Sequence, residues 1–225
     1  MSERLLAQLR AHSNPANVAG MARYGINTAG TLGVPIPILR RLAKEAGRDH
    51  ALAGELWNSG LHEARILATM VDDPKLVTAS QLDAWARDLD SWDVCDQACQ
   101  NLFRHTPMAF AKAAQWARAK REFVRRAGFS LMAGLAAGAK GAADENFIAF
   151  LPLIAEAAGD ERNMVKKAVN WALRGIGKRN RRLHKLAIAA SEDIARQDSR
   201  AARWIAADAL RELRDPKVVA RVGGE

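Results

Sequence analysis

The sequence predicts an all-α fold made of stacked helix pairs, and three observations lead there. Alanine supplies 45 of the 225 residues against 26 for Val, Ile and Thr together, a balance that favours helix over sheet. Apolar residues recur every three or four positions almost from end to end, as one face of a helix requires. Short segments also repeat. Val124-Arg125-Arg126-Ala127 returns 41 residues later as Val165-Lys166-Lys167-Ala168, and Trp171-Ala172-Leu173-Arg174 returns 37 later as Asp208-Ala209-Leu210-Arg211. Periods near 40 residues belong to HEAT-like helical repeats, whose stacked pairs form a solenoid with one concave face built from the second helix of each pair. The expected architecture is one repeat domain over residues 1–225, with about five or six helix pairs.

Taken in order, the elements are set by their punctuation. Ser13-Asn14-Pro15 separates the first helix from the second. Asn58-Ser59-Gly60, Asp73-Pro74, Thr106-Pro107 and Asp215-Pro216 mark further turns, because Pro cannot continue a helix and Gly terminates one. The alanine-glycine run at 131–141 reads as a helix end with its turn. Asp90-Ser91-Trp92-Asp93 reads as a helix start, with Ser91 or Asp90 capping and Asp93 in the first turn, where the helix dipole favours an anion. Gly175-x-Gly177-Lys178 lacks phosphate-loop spacing and a preceding strand, so it ends a helix and leaves Lys178 and Arg179 in a loop.

Charge narrows the partner. There are 34 Lys and Arg against 25 Asp and Glu, a net +9 that calls for an anionic partner. Residues 162–191 hold nine cations, Arg162, Lys166, Lys167, Arg174, Lys178, Arg179, Arg181, Arg182 and Lys185, and no acid. Residues 112–140 hold seven more, Arg125 and Arg126 among them, against Glu122. In adjoining repeats these stretches lie side by side, a pattern suited to tracking a phosphate backbone. The aromatics are scattered singly, without the apolar stripe of a membrane-surface helix. No 18-residue apolar run and no export-type N-terminus follow Met1-Ser2-Glu3, so a cytoplasmic protein is expected.

Against this basic background, seven Asp residues lie between positions 72 and 96. Asp96 falls one helical turn past Trp92, so the carboxylate and the indole share a face. That pairing can stabilise positive charge, the indole through its π face.

The order Tyr24, Leu32-Gly33-Val34-Pro35, Leu39-Arg40-Arg41-Leu42, Leu56-Trp57, His62-Glu63-Ala64-Arg65, Ser91-Trp92-Asp93-Val94-Cys95-Asp96, Phe123-Val124-Arg125-Arg126-Ala127 and Val165-Lys166-Lys167-Ala168-Val169-Asn170-Trp171-Ala172-Leu173-Arg174 resembles the AlkD-like DNA alkylation repair proteins over nearly the whole chain. The Trp-Asp-x-x-Asp and Lys-Lys-Ala-x-x-Trp-Ala-Leu-Arg helices are its most specific elements. The resemblance implies a monomeric, cofactor-free and metal-free glycosylase that holds alkylated double-stranded DNA in its concave basic groove and releases cationic bases such as 3-methyladenine and 7-methylguanine. It implies Asp96 as the catalytic carboxylate, Trp92 and Trp171 against the lesion's deoxyribose, Arg126 near the backbone, and Tyr24 as a further groove aromatic. Arg125, Arg162, Lys166, Lys167, Arg174, Lys178, Arg179 and Arg182 complete the expected DNA-binding set. The alternative is a non-catalytic HEAT-repeat protein that binds damaged or branched DNA.

The remaining residues are expected to be structural. His62-Glu63 has no second His at i+4 and reads as a surface helix start. Cys95 and Cys99 read as small packing residues, and Trp57, Trp85, Trp116 and Trp204 as core. His105 and His184 stand without an evident partner.

Overall fold

The computed structural model describes residues 1–223, and among them there is no strand. No helix of the described residues is long and apolar enough to cross a membrane. The chain divides into two compact units, Met1–Pro107 and Met108–Glu225.

The first unit contains α1 (Ser2–Ala11), α2 (Pro15–Arg23), α3 (Ile36–Ala46), α4 (His50–Asn58), α5 (His62–Val71), α6 (Ala79–Asp88), α7 (Trp92–Asn101) and a 3₁₀ turn at Phe103–His105. Its helices start where side chains can satisfy their first amides. Asn14 Oδ1 accepts from Asn17 N at 3.2 Å, Asp49 Oδ1 from Leu52 N at 2.9 Å, and Thr78 Oγ1 from Gln81 N at 3.1 Å. Helix α5 is central, packing against α3, α4 and α7. The indoles of Trp57 and Trp85 stack with centroids 4.0 Å apart, and Trp57 Nε1 donates to Asp88 Oδ2 at 2.9 Å. Cys95 and Cys99 are fully buried and form no disulfide, in keeping with packing residues.

The second unit contains α8 (Ala109–Ala117), α9 (Glu122–Gly138), α10 (Asp144–Ile148), α11 (Phe150–Ala157), α12 (Asn163–Gly177), α13 (Arg181–Ala195), α14 (Arg200–Leu213) and α15 (Pro216–Gly223). Helices α9, α12 and α14 are neighbours, each paired with a preceding helix, α8, α11 or α13. Both basic pairs open their helices, α9 and α12, as the repeat reading expects. The period is visible in the bonding as well. Arg126 to Met164, Glu161 to Ser199, Asn170 to Asp208 and Arg174 to Glu212 are all hydrogen-bonded partners 38 positions apart.

Two expectations need correction. Trp57, Trp85 and Trp116 are buried, but Trp204 is 42% exposed, because its position on α14 is at the surface beside Lys166 of α12. His184 and His105 both have partners after all: His184 Nδ1 lies 2.8 Å from the carbonyl of Gly177 at the end of α12, and His105 Nε2 accepts from Arg104 Nε at 3.2 Å. Gly177 is the last residue of that helix, as the glycine-lysine motif suggests.

Where α8 and α9 cross, Gly128 is required by contact. A Cβ there would lie 2.5 Å from Ala117 N and 2.8 Å from the carbonyl carbon of Trp116, both rigid backbone atoms. Gly54 in α4 has nothing within 4 Å of its would-be Cβ. Gly128→Ala should therefore destabilise the fold by about 1–3 kcal/mol despite the better helix former. Gly54→Ala should stabilise it by up to about 1 kcal/mol. Urea denaturation of the two variants beside the wild type checks both signs.

Candidate functional site

The site is built upward from the start of α7. Ser91 stands at the N-cap position, but its hydroxyl caps no backbone amide of its helix; Oγ accepts from the backbone N–H of Asn27 at 3.1 Å. Asn27 Nδ2 also donates to Asp90 Oδ2 at 2.7 Å. Trp92 Nε1 donates to the carbonyl of Tyr24 at 3.0 Å. The loop after α2 is thereby fastened to the first turn of α7. Between them lies a cavity of ≈ 520 Å³. Trp92, Asp93 and Asp96 form one wall, and Gly20, Met21, Tyr24 and Ile36 contribute to the opposite one. Tyr24 is 73% exposed at the rim, whereas Trp92 and Asp96 are half-buried.

The floor comes from the start of α5, and here the sequence reading is overturned. His62 and Glu63 are buried, not surface residues. Glu63 Oε1 accepts from Gly33 N at 2.6 Å and Val34 N at 3.2 Å, and Oε2 accepts from Leu32 N at 2.9 Å. Three amides around one carboxylate offset the cost of burying its charge. The loop can make this wrap only with glycine at its centre: Gly33 has φ +77°, and a Cβ would lie 2.3 Å from Asn14 O. An acid in a first helical turn reads from sequence as a dipole partner, so nothing local marks Glu63 as the receptor for amides some thirty residues upstream.

His62 Nε2 lies 2.8 Å from Asp93 Oδ2. Burial alone would lower the His62 pKa, but the hydrogen bond and charge of Asp93, joined by the charges of Glu63 and Asp90, raise it above 6.5. For Asp93, burial works upward, and the His62 hydrogen bond and charge, with a bond from Ser91, bring it below 3.8. The dipole explanation for Asp93 is thus incomplete, since it is also the buried partner of a histidine.

In the second unit, Trp171 lines a cavity of ≈ 510 Å³ with Lys140, Lys178, Arg179 and Arg221. Arg126 is buried, and its Nη1 donates to Met164 O at 2.6 Å, which places it behind the start of α12 rather than at a surface. Most of the basic run is engaged within the unit. Arg125 and Arg162 both reach Asp160, at 3.1 and 2.6 Å. Burial would raise the Asp160 pKa, but the hydrogen bonds from Arg162 and the charges of Arg162 and Arg125 hold it down. Arg174 and Lys178 bond Glu212, and Arg182 bonds Glu145. Arg179 lies over the Phe147 ring and donates to the carbonyls of Ala136 and Ala139, and its burial lowers its pKa. Lys166 lies against Trp204, and Lys167 is exposed. Tyr24, Trp92 and Asp96 are therefore brought together in the first unit, and Trp171, Lys178 and Arg179 in the second.

Residues 5–213 match the family model described as DNA alkylation repair enzyme. No curated protein matches the chain. A solved structure described as "A new family of proteins related to the HEAT-like repeat DNA glycosylases with affinity for branched DNA structures" superposes with a TM-score of 0.78 at 18% identity, covering 98% of this chain and 95% of that one. It establishes the HEAT-like repeat fold. A designed armadillo repeat protein superposes with a TM-score of 0.37 at 16% identity, over 78% of this chain and 91% of its own.

The His62–Asp93 pair makes stability depend on pH in a defined window. The raised His62 pKa contributes stability that is fully present below 6.5 and is lost as pH rises through the folded value. The lowered Asp93 pKa contributes stability that is present above 3.8 and is lost as pH falls through its folded value. His62→Asn should therefore cost most between pH 3.8 and 6.5, roughly 1.5–3 kcal/mol, with a smaller deficit at higher pH. Denaturant melts of both proteins across pH 4 to 9 test this; a deficit that does not vary with pH would count against the ion pair.

Proposed function

The chain belongs to the DNA alkylation repair enzyme family, and from that premise we propose that it is a monofunctional glycosylase hydrolysing the N-glycosidic bond of positively charged alkylated purines, 3-methyladenine and 7-methylguanine, in duplex DNA. The observation that carries this reading is Asp96 one helical turn from Trp92, both lining the cavity beside the exposed Tyr24.

The chemistry suits such a site. Alkylation at N3 or N7 makes the base cationic, so it departs with the bonding electron pair and its charge is quenched. Positive charge then develops on the deoxyribose. The Asp96 carboxylate stabilises that charge and orients the water whose oxygen bonds to C1′, while the water's proton passes to solvent. A preorganised anion aimed at developing charge is commonly the largest catalytic contribution. The indole of Trp92 adds a π face that favours a cation, and its bond to Tyr24 O fixes the ring plane. Glu63 and His62 act as positioning residues through residues 32–34 and Asp93. Within the second unit Trp171 lines its own cavity with Lys178 and Arg179, and Arg126 positions α12, which carries Trp171, through Met164.

A second reading is binding to damaged or branched DNA without excision, favoured by the branched-DNA affinity stated for the structural relative. One experiment separates the two. Alkylated duplex DNA is incubated with the protein, and free 3-methyladenine and 7-methylguanine are quantified alongside DNA affinity. The glycosylase reading expects base release by the wild type and a loss of about 10²–10³-fold in Asp96→Asn, with affinity for DNA retained. A folded protein that binds DNA with steep salt dependence yet releases no base would overturn the enzyme reading and leave the binding one.

A further inference from the structure

Trp204 is the feature that the proposed site does not absorb. Aligned at the 37-residue offset, Val165-Lys166-Lys167-Ala168 falls on Ala202-Arg203-Trp204-Ile205, so a tryptophan occupies the place of the second basic residue. The position stays on the surface: Lys167 is exposed, and Trp204 is 42% exposed. Tyr24 and Trp204 are the exposed aromatics among the described residues, and Tyr24 already belongs to the first cavity.

The surroundings are cationic. Lys166 Nζ lies 4.9 Å from the centroid of the Trp204 ring. Arg200, one turn earlier on α14, is exposed, as are Arg203 and Lys167. Arg203 pairs with Asp198 at 3.3 Å, whereas Lys167 and Arg200 form no ion pair among the described residues. The nearby anion, Glu161, is anchored in place: Oε1 accepts from Ser199 Oγ and Ala201 N, each at 3.0 Å. Those bonds and the charges of Arg200 and Lys166 lower its pKa, but no ion pair among the described residues ties it to either cation, whereas Asp160, Glu212 and Glu145 pair directly with arginines of the basic run. The α12–α14 surface thus couples a part-exposed indole with cations on two helices.

We propose that this surface is a stacking site for an unpaired nucleobase, and that it binds the single-stranded segment of a flap or branch point. The reading rests on the chain being a DNA-binding protein, but not on base excision. An aromatic ring offers every base a π face, and such stacking is worth about 1–3 kcal/mol per base. The phosphates flanking that base are matched by Lys166, Lys167 and Arg200. Lys166 is already held against the ring by cation–π attraction, so its ammonium stands beside the place where a stacked nucleotide carries its charge. A continuous duplex presents no free base face and gains nothing from Trp204.

The test uses the full chain and two fluorescently labelled DNAs, a plain duplex and the same duplex with a single-stranded flap. In Trp204→Ala, affinity for the flapped DNA should fall about tenfold while affinity for the plain duplex stays within twofold. Trp204→Phe, which keeps a π face, should recover most of the loss. Lys167→Ala with Arg200→Ala should reduce the salt dependence of flap binding. Thermal melts confirm that the exposed substitutions leave the fold intact. Equal affinities of wild type and Trp204→Ala for the flapped DNA would overturn the stacking site and leave the catalytic reading standing. Flap binding lost together with duplex binding would overturn it as well. A wild type that binds neither DNA would remove this proposal and the proposed function together, whereas absence of base release with flap preference intact removes only the enzyme reading.

Discussion

The first unit depends on one buried carboxylate. Glu63 is 1% exposed and is held by three backbone amides of residues 32–34. An ionised carboxylate taken out of water costs several kcal/mol unless hydrogen bonds replace its hydration. The loop and the glutamate are therefore mutually obligatory: without the loop the charge is stranded, and without the charge the three amides are unpaired. His62, the residue before it, reaches Asp93 on α7. Two consecutive side chains at the start of α5 thus fix both walls of the cavity, the loop that leads into α3 and the first turn of α7.

The second unit uses charge differently. Many of its cations are bonded to acids and carbonyls of a neighbouring helix pair, and the polar bonds that recur at a separation of 38 residues set the register of the repeat. Burying Arg126 against Met164 O and Arg174 against Glu212 fixes how far one helix slides along another. Stacked pairs without such bonds could shift by a helical turn at little cost to apolar burial. A net charge that suggests only an anionic partner is in this unit largely a stacking device, and the cations outside it mark the surface around Trp204.

What could be read from the sequence was local. Breaks such as Ser13-Asn14-Pro15 and Asp215-Pro216 act within one turn, so residue type alone suffices to place them, and α2 and α15 do start at those prolines. The Trp92 and Asp96 pairing follows from helical geometry alone, and both residues do line one cavity. Glu63 was hidden because its acceptor role depends on amides 30 residues away, brought to it only by the fold. The internal pairing of the basic run was hidden for a related reason. Counting residues 162–191 by themselves omits Asp160, Glu145 and Glu212, which flank the run in sequence and meet it in space. Trp204 resembled a core residue because its helix is amphipathic and tryptophan is usually buried; only the packing of α12 beside α14 shows which side it takes.

The dependence of the cavity on the Glu63 clamp is open to direct measurement by hydrogen exchange in the wild type and in Glu63→Gln, followed by NMR at the amides of Leu32, Gly33 and Val34 and at the Trp92 indole. The carboxamide that this substitution introduces cannot present two acceptor oxygens to those three donors. Strong protection is expected in the wild type, and in the variant faster exchange at all four sites together, while the α9 and α12 amides of the second unit keep their protection. Unchanged protection at the loop amides and the indole, in a variant with the same global stability, would contradict the clamp.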